Sequence, residues 1–164
     1  MKILITGGAG FIGSEIVNSL GMPAESIVVL DALTEQIHGK NSEESYLYKK
    51  IADKCQFIKG DIRDYETVKE SIKDCDCIIH LAAETGTGQS MYQINQYNAV
   101  NIMGTSNIFQ AISSTNAKIK KIILASSRSV YGEGKYECPV HGVIYPEARR
   151  VSDMKKGDFS MHCP

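Results

Sequence analysis

The stretch Met1-Lys-Ile-Leu-Ile-Thr-Gly-Gly-Ala-Gly-Phe-Ile-Gly13 passes from a short apolar run into closely spaced glycines and then into a helical pattern. Gly7 permits a tight turn after a strand, Gly10 lets the backbone approach a phosphate without an intervening Cβ, and Gly13 lets a helix lie close to the sheet. The helix would aim its unpaired amides and the positive end of its dipole at the phosphates. The stretch therefore predicts a turn that holds a dinucleotide pyrophosphate. The alternative is a glycine-rich turn that binds no ligand.

The second predicted strand, residues 26–31, ends in an acidic residue at the spacing that a dinucleotide site requires. Asp31 is placed to accept hydrogen bonds from the hydroxyls of the adenosine ribose. A carboxylate at this position repels a 2′-phosphate, so the predicted cofactor is NAD rather than NADP.

The composition is that of an ordinary globular domain. The chain has 164 residues, 43% hydrophobic and 23% charged, with a formal net charge of −1. This balance argues against a nucleic-acid partner, and no apolar run reaches the roughly 18 residues of a membrane span. The apolar run that begins at Lys2 is too short and too early for the apolar region of a signal peptide, so the expected compartment is the cytoplasm.

The five cysteines are odd in number, which argues against a disulfide framework. Cys55, Cys75 and Cys77 fall in or beside predicted strands and helix ends. We expect these three to be reduced thiols in or near the core.

Strand and helix patterns alternate along most of the chain, which is typical of parallel strands joined by helical crossovers. Strands are predicted at residues 2–6, 26–31, 56–59, 76–83 and 121–126. Helices are predicted at 11–20, 64–73 and 91–114. The first would have Ile12, Ile16, Val17 and Leu20 on its inner face. Asp64 would cap the second, with Val68 and Ile72 pointing inward. The predicted fold is an α/β, doubly wound (Rossmann) parallel sheet with helices on both faces.

From residue 131 onward, glycine, proline and charged residues alternate without a sustained period. We therefore predict an NAD-binding domain at 1–130 and a loop-rich tail at 131–164. No sixth strand follows the fifth, so we expect an exposed sheet edge or a missing partner segment, and no substrate domain.

Ligands of an open parallel sheet lie over the carboxyl ends of its strands. Asp61 follows the third strand and is a candidate acceptor for the adenine amino group, while Ile62 would pack against the ring. An equally good interpretation of Asp61 is an ordinary loop or capping acid. Leu81, Ala82 and Ala83 end the fourth strand with mostly small residues, over which a cofactor could lie.

The chain resembles the extended short-chain dehydrogenases/reductases, specifically the nucleotide-sugar epimerases and dehydratases. The matching motifs, in chain order, are Thr6-Gly-Gly-Ala-Gly-Phe-Ile-Gly13, Asp31, Gly60-Asp61-Ile62, His80-Leu-Ala-Ala83, Asn101-Ile-Met-Gly-Thr105 and Ser126-Ser-Arg-Ser-Val-Tyr-Gly132. Segments 31–39, 83–92 and 131–142 are more closely similar to the branch that contains 4-epimerases of dTDP-sugars.

The resemblance implies a reaction in which NAD takes a hydride from a sugar carbinol carbon and returns it to the other face of the keto-sugar. It implies that Ser127 is the catalytic hydroxyl that hydrogen-bonds the reacting sugar oxygen. Asn101 matches an asparagine that ties a helix to the active-site strand; an ordinary polar helix residue is the alternative. The cofactor residues carried over are Gly7, Gly10, Phe11, Ile12, Gly13, Asp31, Asp61, Ile62, Leu81, Ala82, Ala83 and Asn101.

One part of the family pattern is missing. The family's base is a tyrosine followed four residues later by a lysine, on a helix well past the serine. Tyr46 and Lys50 have this spacing but precede the third strand, and Tyr131 and Lys135 enclose two glycines that disfavour a helix. We interpret both pairs as coincidences and expect the chain to end before its catalytic helix. The alternative to an enzyme's N-terminal part is a catalytically inert dinucleotide-binding module.

The resemblance also implies a homodimer. Its interface would comprise residues 95–114 and a helix that this chain lacks, so we expect pairing to be impaired. The expected substrate is a nucleotide-sugar.

The tail carries a second pattern, Cys138-Pro-Val-His141 with a distant Cys163. These are three of the four ligands of a zinc site, and the fourth would be His162 or a residue beyond Pro164. Free thiols without a metal are the alternative, and we assign no metal ligand from the sequence.

Overall fold

The computed structural model describes residues 1–115 and 117–163. Five parallel strands form one sheet in the order β3-β2-β1-β4-β5. The strands are β1 (Ile3–Thr6), β2 (Ile27–Asp31), β3 (Gln56–Lys59), β4 (Cys77–His80) and β5 (Lys121–Leu124). The chain order reverses between β1 and β4, so the carboxyl ends of these strands frame the crevice where such sheets bind ligands.

Helices surround the sheet. The longer ones are α1 (Phe11–Ser19), α4 (Tyr65–Ser71) and α7 (Thr105–Thr115), and short ones are α2 (Glu35–His38), α3 (Tyr46–Lys49), α5 (Thr87–Ser90) and α6 (Ile94–Tyr97). A π-helical stretch, Asn98–Gly104, leads directly into α7.

Alternate strand residues face two separate hydrophobic clusters, because successive side chains of a strand point to opposite faces. Leu4 packs with Val68 of α4 and Ile108 of α7 on one face. Ile3 and Ile5 pack with Val17 of α1 and Ile51 on the other. This confirms the predicted doubly wound sheet with helices on both faces.

The predicted cap and inner face of α4 are confirmed, whereas the predicted inner face of α1 is partly wrong. Asp64 caps α4 by accepting a hydrogen bond from the amide of Glu66, and Val68 and Ile72 are buried as predicted. The predicted inner face of α1 is wrong at Ile12, whose side chain is 61% exposed. Gly13 and Ser14 are buried instead, because α1 is held against the turn by small residues.

β5 is an outer strand of the sheet, at the position where the sequence predicts an exposed edge or a missing partner segment. Leu124 is 58% exposed, although it belongs to a strand in an otherwise apolar sheet. Among the thiols, Cys75 is buried and Cys55 and Cys77 are partly buried, and all three are free, as predicted.

The chain divides into two compact units, Met1–Ala125 and Ser126–Pro164. The second unit is not loop throughout, since β6 (Tyr136–Cys138) and β7 (Gly142–Ile144) form an antiparallel hairpin and α8 spans Val151–Met154. The hairpin escaped the sequence analysis because its strands are too short to show an alternating pattern. Within residues 1–115 and 117–163, no helix combines the length and apolarity that a bilayer crossing demands.

Candidate functional site: the carboxyl edge of the sheet

The turn after β1 requires glycine at several positions. Gly7 has φ +68°, and a Cβ added there would lie 2.7 Å from the amide nitrogen of Ala82. A Cβ on Gly13 would lie 2.5 Å from the carbonyl oxygen of Gly7. Both distances are too short for real atoms, so the turn, β4 and α1 approach as closely as they do only because these side chains are missing.

Gly8 was missed by the sequence analysis. A Cβ at this position would lie 2.7 Å from Cγ1 of Val29 on β2. The spacing rule for dinucleotide turns names three glycines, and the contact with Val29 becomes visible only once β1 and β2 are paired.

Asp31 is fixed against the same turn. Its Oδ2 accepts a hydrogen bond of 2.9 Å from the amide of Ala9, and its Oδ1 accepts one of 2.9 Å from the amide of Leu33. A carboxylate offers about four lone-pair positions, so acceptor capacity is left for the hydroxyls of a ribose. The structure thus joins the glycine turn and the acid that the sequence placed at the ends of two strands.

His38 lies behind this carboxylate. His38 ends α2, and its side chain is buried. Its Nδ1 is 2.8 Å from Oγ of Ser45, and its Nε2 is 4.0 Å from Oδ1 of Asp31. Burial lowers the pKa of His38, and the nearby Asp31 charge opposes that effect without reversing it.

The first turn of α1 follows the glycine turn and begins with exposed side chains. Gly10 is its N-cap and provides no side-chain cap, and Phe11 and Ile12 are exposed. The amides of a helix's first turn lack partners within the helix and carry its positive dipole end. Together with the glycine turn, this end of α1 fits a pyrophosphate chemically.

Asp61 has a different environment from the one predicted. The guanidinium of Arg63 hydrogen-bonds both of its oxygens, with Nη2 at 2.6 Å from Oδ2. The hydrogen bond from the Arg63 side chain is the main reason that the pKa of Asp61 lies below its ordinary value. The carboxylate therefore has a partner in its own loop, and an adenine amino group would compete with Arg63 for it.

The expectation that the Ile62 side chain packs against an adenine ring needs correction. Ile62 is only 5% exposed and belongs to the core cluster under α4 and α7. A Cβ on Gly104 would lie 2.5 Å from its Cγ2, so Ile62 packs against the π-helical stretch. Only its backbone and the edge of the side chain remain available to a ligand.

At the end of β4, Leu81 and Ala82 are partly buried and Ala83 is exposed. Leu81 donates its amide to the carbonyl of Thr6, and the amide of Ala82 lies 3.3 Å from the hydroxyl of Thr6. These contacts hold the end of β4 beside Gly7, where a cofactor crossing the strand ends would pass.

Asn101, in the π-helical stretch, makes a two-way pair with the backbone of Glu84. Its Oδ1 accepts from the Glu84 amide at 2.8 Å, and its Nδ2 donates to the Glu84 carbonyl at 3.1 Å. The side chain therefore ties the helical stretch to the segment that leaves β4. π-helical turns occur preferentially at functional sites.

Ser127 belongs to the second unit. Its Oγ accepts a hydrogen bond of 3.1 Å from the amide of Ser129 and starts a 3₁₀ turn at Arg128–Tyr131. The turn ends at Gly132, with φ +63°, so Tyr131 and Lys135 do not share a helix. The catalytic role of Ser127 stays a prediction.

The second unit also brings Cys138, His141 and Cys163 together. Hydrogen bonds from the backbone amides of His141 and Val140 lower the pKa of the Cys138 thiol to about 7. His162, the suggested fourth ligand, lies outside this group and is 3.6 Å from Asp158.

A family model described as the NAD dependent epimerase/dehydratase family matches residues 3–148. The chain belongs to this family. Its sequence is 39% identical over 160 residues to the dTDP-L-rhamnose 4-epimerase of Burkholderia thailandensis, a match that covers 96% of this chain and 43% of that protein. It is 33% identical over 141 residues to the dTDP-glucose 4,6-dehydratase of Mycolicibacterium smegmatis, covering 85% of this chain and 40% of that one.

Solved structures of family members share the fold. A double mutant of DesIV, a dTDP-glucose 4,6-dehydratase from Streptomyces venezuelae with NAD and DAU bound, matches with a TM-score of 0.67 and 30% identity over 80% of this chain and 41% of that one. The UDP-glucose-4-epimerase of Stenotrophomonas maltophila, with NAD and formylated UDP-arabinopyranose bound, matches with a TM-score of 0.65 and 28% identity over 85% of this chain and 40% of that one. This member of the epimerase/dehydratase family thus spans about two fifths of the length of these relatives.

Proposed function

We propose that this chain is the NAD-binding, N-terminal part of a nucleotide-sugar epimerase or dehydratase, with 4-epimerisation of a dTDP-sugar as the favoured reaction. The observation that carries the proposal is the hydrogen bond between Asp31 and the amide of Ala9. This contact supports the proposal because it holds the carboxylate that would accept from the ribose against a glycine turn, in which a Cβ at Gly7 or Gly13 would collide with backbone atoms.

In this proposal the chain's residues bind and orient the cofactor. The first-turn amides of α1 and the backbone around Gly10 hold the pyrophosphate, and Asp31 accepts from the adenosine ribose. Ala82 and Ala83 leave room for the cofactor across the strand ends, and Asn101 fixes the segment after β4 through Glu84. When bound, NAD supplies the acceptor and later the donor of a hydride.

The preference for 4-epimerisation of a dTDP-sugar rests on sequence similarity to named relatives. The relative from Burkholderia thailandensis is named a dTDP-L-rhamnose 4-epimerase, and the match to it extends over 96% of this chain. The dehydratases named above match over a smaller share. Ser127 is the proposed hydroxyl that hydrogen-bonds the reacting sugar oxygen.

Two further proposals concern the setting. We propose the cytoplasm as the compartment, on the basis of the amino-acid composition.

We also propose that chains pair through the helical region 95–114, which exposes Ile102, Met103 and Phe109. Pairing by the 164-residue chain should be weak, and sedimentation of wild type and Phe109→Ser at matched concentrations would reveal any dimer that depends on this surface.

Cofactor binding is the first test. Calorimetric titration of the folded 164-residue chain should detect NAD or NADH and should give weaker binding of NADP. Asp31→Asn should weaken NAD binding by at least about tenfold, because a charge-assisted hydrogen bond contributes about 1.5–3 kcal/mol. Asp53→Asn, at an exposed aspartate away from the turn, is the matched control and should leave affinity unchanged. Failure of the folded chain to bind either NAD or NADH would refute the proposal.

Turnover is the second test, and it separates an active enzyme from an inert binding module. Tyr46 lies in α3, before β3, and the turn that contains Tyr131 ends at Gly132, before Lys135. Neither tyrosine matches the family's base, so we expect NAD binding without epimerisation of a dTDP-sugar by this chain. Turnover that disappears in Tyr46→Phe or Tyr131→Phe would show that this interpretation of the two tyrosines is wrong.

A further inference from the structure

The second unit contains a sulfur and nitrogen cluster on a short hairpin. Cys138 ends β6 and pairs in register with Gly142, the first residue of β7, so Cys138 and His141 lie on the two sides of one tight turn. Cys163 comes from far along the chain, and its Sγ is 3.0 Å from Nδ1 of His141. The three ligand atoms all lie within 4.8 Å of one another.

Both sulfurs approach the same nitrogen. The distance from Cys138 Sγ to His141 Nδ1 is 3.6 Å, and the distance from Cys163 Sγ to the same nitrogen is 3.0 Å. A ring nitrogen either carries one proton or accepts one, so a single hydrogen bond cannot satisfy two thiols. One cation placed between the three atoms interacts favourably with all of them.

The geometry suits zinc. Bonds of about 2.3 Å to sulfur and about 2.1 Å to nitrogen place the ligand atoms of a tetrahedral zinc about 3.6 Å apart. The pair Cys138–His141 already has this separation. Cys163 is exposed, so a rotation of its side chain can open the shorter contact.

The described part of the second unit, residues 126–163, has almost no hydrophobic core of its own. Pro146 is the only residue of its described part that is buried, and the hydrophobic clusters of the chain draw no member from it. Arg149 links it internally, through Glu133 at 2.5 Å and the Phe159 carbonyl at 2.8 Å. Segments of about 40 residues or fewer usually need a metal, a disulfide or a partner to fold.

We propose that Cys138, His141 and Cys163 bind one structural Zn²⁺ through two sulfurs and Nδ1. The metal joins the β6–β7 hairpin to the segment around Cys163, and its fourth position is taken by water or by a group outside the described residues. All three proposed ligands belong to the second unit.

The test is metal content of the whole 164-residue chain, purified with any histidine tag removed. Wild type should hold about one zinc per chain by mass spectrometry, and Co²⁺ should replace it with the visible absorption of tetrahedral cobalt–thiolate coordination. Cys138→Ser, His141→Ala and Cys163→Ser should each weaken zinc binding by more than about 100-fold, since even changes around ligands cost 10- to 100-fold. The matched controls His162→Ala and Cys55→Ser should retain the metal.

Folding and oxidation are checked separately. The first unit has its own core, so circular dichroism should show folded protein in every variant, while removal of zinc should speed proteolysis within residues 126–163. Equal zinc content in His141→Ala and His162→Ala would overturn the proposal. So would a Cys138–Cys163 disulfide in freshly purified protein, or reactive Cys138 and Cys163 thiols in folded protein with no bound metal.

Discussion

Thr6 and His80 are register partners on β1 and β4, and their side chains meet at 2.6 Å between Oγ1 and Nδ1. On its other side, His80 Nε2 lies 2.9 Å from Oγ1 of Thr105, which donates its own proton to the carbonyl of Asn101 at 2.7 Å. We therefore assign the proton of His80 to Nε2, with Nδ1 accepting from Thr6. This network connects the sheet to the helix that carries Asn101.

Because both histidines of the first unit are buried as neutral rings, the protein should lose stability in mild acid. Burial lowers the pKa of His80 and of His38. An unfolded histidine binds a proton near pH 6.5, before the folded one does, so each ring removes up to about 1.4 kcal/mol per pH unit below that point. The stabilisation is complete above pH 6.5 and is lost progressively as pH falls toward the folded pKa.

Urea unfolding from pH 7.5 to 5 measures this effect. The acidic groups with lowered pKa values, such as Asp61 and Asp76, begin to contribute only below about pH 4. His38→Gln should reduce the slope by removing one ring and leave the His80 contribution. A free energy of unfolding that stays constant down to pH 5 would contradict the neutral assignment of both rings.

The hydroxyl of Thr105 should contribute more than a similar hydroxyl elsewhere on α7. Thr105→Val leaves the Nε2 proton of His80 without an acceptor and should cost about 1–3 kcal/mol. Thr115 also donates to the carbonyl four residues earlier but lies at the exposed end of the helix. Thr115→Val should therefore change stability by less than about 0.5 kcal/mol. Equal effects of the two substitutions would show that His80 does not depend on this contact.

Gly13 should tolerate no side chain, although it lies inside a helix where alanine is normally favoured. Gly13→Ala would bring a methyl group to 2.5 Å from the Gly7 carbonyl, so we expect a loss of about 1–3 kcal/mol and weaker NAD binding. Gly88, in α5, has open space around it and serves as the control. Gly88→Ala should be neutral or stabilise by up to about 1 kcal/mol, as measured by thermal unfolding.

The sequence was most informative where one local rule determines the structure. Glycine spacing predicted the turn at Gly7 and Gly13, and the acid ending β2 predicted Asp31 beside it. The contacts of Gly8 and His80 could not be predicted, because their partners Val29 and Thr6 become neighbours only through sheet pairing. A sequence pattern identifies a residue type at a spacing, but it does not identify contacts between strands.

Ile62 is another residue whose position the sequence predicts but whose contacts it does not. Its position after β3 matched a family motif, yet its burial depends on how closely the π-helical stretch approaches at Gly104. The hairpin of the second unit was missed because three-residue strands carry too few alternations to detect.

A substitution at Arg63 can distinguish the two interpretations of Asp61, as an acceptor for the adenine amino group or as an ordinary loop acid. If Asp61 accepts from the adenine amino group, Arg63 competes for the same oxygens, and Arg63→Ala should tighten NAD binding by up to about tenfold. If Asp61 is a loop acid, Arg63→Ala should leave NAD affinity unchanged and Asp61→Asn should affect stability alone. We expect the first outcome, measured by calorimetry at low salt, with the exposed Arg150→Ala as a control for loss of positive charge. Unchanged affinity in both Arg63→Ala and Asp61→Asn would remove Asp61 from the cofactor site.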